Sequence, residues 1–236
     1  MAKTSRAATF KVLSALLSYP TQELQNAAHD LYAALRGDGL LPQTTLAAVN
    51  GFIDELAAGD LYDLQERYVE TFDRGRSLSL YLFEHVHGES RDRGQAMIDL
   101  KALYEKHDLD ATSGELPDFL PLFLEFLSTL PLDEARELLG QIAHIAAALG
   151  ERLRKRQGPY AVLFRALDDL AAPAKADAPI VVAANLPEED PADFAALDAQ
   201  WEDEPVSFGP EAAPNCREQL FARIRAARRP AESLER

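Results

Sequence analysis

The chain has 236 residues, with 39 acidic against 24 basic side chains, a net charge of −15 and one cysteine. That balance argues against a nucleic-acid binder, whose attraction rests on basic side chains facing phosphate, and against docking on an anionic membrane surface. It suits a cationic partner. A lone Cys216 closes no intramolecular disulfide, and one thiolate holds neither an iron–sulfur cluster nor a cysteine-type zinc site.

Taken in chain order, the apolar residues fall at helical spacing. Phe10, Leu13, Leu16 and Leu17 share a face, and Pro20 ends that helix. The run from Val12 to Leu17 is too short and interrupted for a signal peptide. Leu24, Ala27, Ala28, Leu31, Tyr32 and Leu35 repeat the pattern as one helix until Gly37 and Gly39. Asp60 is the expected N-cap of a helix carrying Leu61, Leu64, Tyr68 and Phe72. From Pro117 to Leu130 the sequence is apolar on nearly every side, as in the central helix of a bundle. Its prolines at 117 and 121 fit only a first turn, so a start near Pro117 is expected. The stretch Leu116 to Leu132 contains Asp118, Glu125 and three prolines, so it reads as core and not as a membrane span. Asp133 is the expected cap of a last long helix, which ends in the cationic run Arg152 to Arg156.

Composition divides the chain at two points. Residues 1–170 form an all-α domain of net charge −9. Residues 171–215 hold seven of the 14 prolines and ten acids against the single Lys175, an acidic linker containing the one strand-like run, Ile180 to Ala184. Residues 216–236 carry six arginines and three glutamates, a basic helix or tail. No alternating βα pattern and no glycine-rich phosphate loop is present. The expected location is the cytoplasm.

The densest polar stretch runs from Glu84 to Gly94. A metal-dependent hydrolase built on His85, His87 and Glu89 is one reading, but on a helix His85 and His87 would stand about 200° apart. No Gly-x-Ser-x-Gly turn and no local Ser–His pairing supports nucleophilic catalysis. The expectation is therefore no catalytic set, no resident metal and no cofactor. Arg74, Arg76, Arg91 and Arg93, with Glu84, His85, His87 and Glu89, are read as a polar network joining helices. A regulator that binds nucleic acid through Arg223, Arg225, Arg228 and Arg229 is disfavoured by the net charge.

The segment from Tyr68 to Leu80, running on through Leu82-Phe83-Glu84-His85-Val86-His87-Gly88-Glu89 to Met97, resembles the signature of NarJ-type nitrate reductase assembly chaperones. These form a branch of the TorD/DmsD family of redox-enzyme maturation proteins. Glu115-Leu116-Pro117-Asp118 with Leu120-Pro121-Leu122 resembles the family's second motif, and Tyr160 to Phe164 and Ala196 to Glu202 are also similar. Where that second motif commonly has histidine, this chain has Phe119. The resemblance implies a TorD-like helical bundle that binds the N-terminus of the apo nitrate reductase catalytic subunit. It implies help with inserting the molybdenum cofactor and an iron–sulfur cluster before membrane docking, without becoming a subunit of the finished enzyme. The cofactor's biosynthesis proteins are implied as further partners.

The expected recognition mode is an amphipathic guest helix in an apolar groove. Tyr68, Phe72, Leu82, Phe83, Phe119 and Phe123 are expected to line it, with Glu115 and Asp118 receiving cations at the rim.

Overall fold

In a computed structural model of the chain, residues 7–86, 91–107, 109 and 114–171 are described. Among them are nine α-helices and no strand beyond one isolated bridge, an all-α architecture. The expected linker from residue 172 on, the tail and the strand-like run at 180–184 lie outside the described residues; Ala171, placed at the start of the linker, is instead the buried last residue of a helix.

The first helices are short and are held by side chains reaching across the sequence. Helix α1 (Ala8–Leu16) buries Phe10, Val12, Leu13 and Leu16. No side chain next to it in sequence caps it; instead Asp38 accepts from Thr9 N at 2.6 Å and Thr9 Oγ1 at 2.8 Å. The expected single helix through Leu35 is two helices, α2 (Gln22–Asn26) and α3 (Ala28–Asp38). The break at Ala27 accompanies an inward Gln25, whose amide donates to Leu56 O at 2.8 Å and Gly59 O at 2.9 Å. Those carbonyls belong to the end of the next helix, α4 (Gln43–Ala58), which would otherwise lack helical partners. Helix α3 ends at Gly39, whose φ of 61° suits a residue without Cβ.

Helix α5 (Leu61–Phe72) begins as the sequence predicts: Asp60 accepts from Tyr62 N and Asp63 N. Two short 3-10 turns follow, Arg76–Leu78 and Leu82–Glu84, and then α6 (Arg91–Lys106). Helix α7 (Leu120–Thr129) starts three residues later than expected. The reason is non-local. Leu82 N donates to Asp118 O at 3.0 Å and Leu120 N to Leu80 O at 2.9 Å, so residues 118–120 pair with residues 80–82. Pro121 takes its place in the first turn, where its missing N–H removes no helical hydrogen bond.

Helix α8 (Leu132–Lys155) also begins differently. Pro131 precedes it and accepts from Ala135 N, which moves Asp133 from the cap into the first turn, where the helix dipole favours an acid. It packs along α9 (Ala161–Ala171). Gly150 permits the approach, since a Cβ there would meet the Phe164 Cβ at 3.0 Å. Helix α1 lies along α7, where Ser14 Oγ donates to Pro121 O at 2.6 Å inside the core. No described helix is long and apolar enough to cross a membrane.

Candidate peptide-binding groove

Side chains from four elements enclose an apolar groove of about 330 Å³. Helix α6 supplies Ala96, Asp99, Leu100 and Leu103, and α8 supplies Leu138, Gln141 and Ile142. Phe123 enters from α7, and Leu82 and Phe83 from the second 3-10 turn. Three of the eight side chains expected in the groove are therefore here: Leu82, Phe83 and Phe123.

The other five lie elsewhere. Tyr68 and Phe72 belong to a buried aromatic cluster; their rings stand 6.2 and 4.8 Å from that of Tyr160. Tyr68 also donates to Leu17 O at 3.1 Å, and burial, followed by the charge of Asp73, pushes its hydroxyl well above the ordinary range. Asp118 is not at a rim. It is fully buried, with one carboxylate oxygen accepting from Phe83 N at 3.0 Å and the other without a partner. Burial raises its pKa, opposed by the Phe83 bond and the nearby charge of Arg93. Asp118 acts as a backbone clamp behind the groove wall, because its carboxylate supplies the Phe83 amide with the acceptor that the start of a 3-10 turn lacks.

Glu115 and Phe119 make a separate surface with Tyr81. The Tyr81 and Phe119 rings lie 5.3 Å apart, and Tyr81 Oη donates to Glu115 at 3.1 Å. Burial, then the Glu115 bond and charge, push the Tyr81 hydroxyl up to about 12. Asp73 is raised as well, by burial and by Glu115.

The residues expected to form a polar network are spread along the same region. Arg93 pairs with Glu84 at 3.6 Å, whereas Arg74, two residues past the end of α5, pairs back with Glu70 of that helix at 3.6 Å. Arg76 opens the first 3-10 turn and is exposed. His85 is buried, its Nε2 2.8 Å from Ser79 O, and burial lowers its pKa. Arg152 donates to Ser77 O at 2.8 Å, so residues 77–85 are fastened to α8 as well as to residues 118–120. Arg91 opens α6; His87 and Glu89 lie outside the described residues. Among the described residues, no three His, Cys, Asp or Glu side chains converge as metal ligands.

Sequence reasoning missed the α6 wall and the groove face of α8. Ala96, Leu100 and Leu103 carry the i, i+4, i+7 spacing that would have revealed the first. Leu138 and Ile142 were visible, but an open wall and a buried stripe share one sequence pattern.

Comparison with known proteins adds the lineage. A family model described as "Nitrate reductase delta subunit" matches residues 15–166. The chain is 47% identical over 199 residues to the nitrate reductase molybdenum cofactor assembly chaperone NarJ of Escherichia coli, covering 84% of this chain and 83% of that one. It is 45% identical over 206 residues to the probable chaperone NarW of the same organism, covering 87% and 86%. To the probable NarJ of Bacillus subtilis it is 34% identical over 169 residues, covering 71% and 90%. With the match running from α1 into α9, through every wall of the groove, the chain belongs to the nitrate reductase delta subunit family.

Proposed function

We propose that this protein is an assembly chaperone for nitrate reductase. In this reading it binds the N-terminal segment of the apo catalytic subunit in the cytoplasm. It keeps that subunit open for insertion of the molybdenum cofactor and an iron–sulfur cluster, and delays membrane docking. The chaperone role named for its relatives supports this reading. The observation that carries peptide binding is the groove between α6 and α8, in which eight of ten lining side chains are apolar.

An amphipathic helix laid there buries its apolar face against Leu100, Leu103, Phe123, Leu138 and Ile142. Ordering the guest costs ~2–5 kcal/mol of the gross interaction, which keeps affinity moderate and release feasible.

Calorimetric titration of the full chain with a synthetic peptide of the catalytic subunit's N-terminus tests this, with a scrambled peptide as control. Saturable binding with a negative heat capacity change is expected for the first alone. Ile142 is only half-buried, so Ile142→Asp should fold, and it should weaken binding by about tenfold or more by placing an unpaired charge under the guest. Undiminished affinity in that variant would remove the groove from the account.

A further inference from the structure

An apolar groove by itself holds an amphipathic helix equally well in either direction. This groove is not uniform along its length. At one end His107 Nε2 lies 3.6 Å from Glu134, tying the C-terminal end of α6 to the first turn of α8. Eight residues earlier, about 12 Å along the helix axis, Asp99 enters the lining as its only charged side chain.

The setting of Asp99 is what an incoming cation would use. Its carboxylate accepts from Gln95 Nε2 at 2.8 Å within its own helix. The cations on the neighbouring turns are engaged elsewhere, Arg93 with Glu84 at 3.6 Å and Lys101 with Glu105 at 3.8 Å. Asp99 is exposed to solvent where it lines the groove. A guest helix lying on Ala96, Leu100 and Leu103 removes part of that water. An uncompensated carboxylate then opposes binding, whereas a lysine or arginine on the guest's edge offsets the loss.

We propose that Asp99 sets the orientation and charge preference of the groove, by receiving one lysine or arginine from the edge of the guest helix. The proposal rests on the reading of the groove as a peptide site. It identifies the fitting partner as a cationic amphipathic helix whose basic residue flanks the apolar stripe at one position. Acidic side chains at that position are rejected by like charge, so the same residue discriminates against wrong segments.

The test uses the full chain and the synthetic catalytic-subunit peptide, with a set in which each lysine or arginine is replaced singly by glutamine. Asp99→Asn should weaken the parent peptide roughly two- to fivefold at low salt, the range of a partly exposed ion pair, and the difference should shrink as salt rises. One glutamine peptide should lose the same factor against the native chain and lose nothing more against Asp99→Asn. Asp99→Lys should prefer a peptide bearing glutamate at that one position. If Asp99→Asn binds every peptide as the native chain does while Ile142→Asp still weakens binding, the role of Asp99 is overturned and the groove stands. If Ile142→Asp is also without effect, the groove reading fails and this proposal falls with it.

Discussion

Helices α6 and α7 meet where the Tyr104 ring packs on Phe126, and they are built on opposite terms. In α7, six of ten residues are buried, and the helix lies against α1 and α8. In α6, Tyr104 is the one buried residue among the fourteen side chains described, 93–106. Its ring stands 4.8 Å from that of Phe126 and its hydroxyl donates to Pro117 O at 2.7 Å. Most helical stability comes from tertiary packing of one face, so α7 is fixed deep in the core. Helix α6 is held at the core's edge by Tyr104, half-buried Leu100 and Leu103, the Arg93–Glu84 pair and the His107–Glu134 tie just past its end. The difference teaches where binding capacity comes from. Helix α7 spends nearly all its apolar surface on the core and offers the groove only Phe123; α6 leaves Ala96, Leu100 and Leu103 half-buried, with their open sides lining the groove.

The largest expected effect comes from striking the support the two helices share. Phe126 is fully buried and packs against Tyr104 and Phe123, so Phe126→Ala should cost about 3–5 kcal/mol of unfolding free energy. A denaturant titration followed by circular dichroism measures it. A loss below about 1 kcal/mol would mean that α7 is not the centre of the core.

A smaller change separates the helices. Tyr104→Phe keeps the ring and removes the bond to Pro117 O, costing about 1 kcal/mol. Amide exchange should accelerate across α6 and stay unchanged in α7, because local opening follows local packing. Equal acceleration in both would show that α6 opens only with the whole domain. Bound peptide should reverse the effect by giving the α6 stripe a partner.

The same contrast explains what the sequence revealed. Helix α7 is legible because Leu120 to Leu130 is apolar on nearly every side, and the Asp60 cap is legible because its two acceptor bonds span only two and three residues. The all-α class followed from such local patterns. The late start of α7 was hidden, since it depends on pairing residues 80–82 with 118–120, a contact between segments far apart in sequence. The α6 stripe was hidden differently: Ala96, Leu100 and Leu103 are interleaved with Gln95, Asp99 and Lys101, and the surrounding charge outweighs the period. Asp118 was misplaced because a carboxylate beside a proline-rich helix start looks like a surface acid. Its burial is set by the amide of Phe83, 35 residues away.

The smallest effect sharpens the comparison between the groove's two kinds of wall, the fastened 3-10 turn and the lightly held α6. His85 follows that turn, is buried, and has its Nε2 on Ser79 O. Burial lowers its pKa below the ordinary 6.5; the Ser79 bond opposes this, and the charge of Arg152 adds to it. Between the lowered folded value and 6.5 the unfolded chain binds a proton that the folded chain does not, so stability rises with pH across that window. Acidifying from pH 7.5 to 5.5 should therefore shift the urea midpoint downward. His85→Gln, whose amide can still donate to the Ser79 carbonyl, should lose its share of that shift. Exchange in α6 should not distinguish the two proteins at pH 5.5, because His85 acts on the fastened wall. If the variant keeps the full pH dependence, other groups carry it. If α6 exchange separates the two proteins instead, the walls are coupled and the groove opens as one unit.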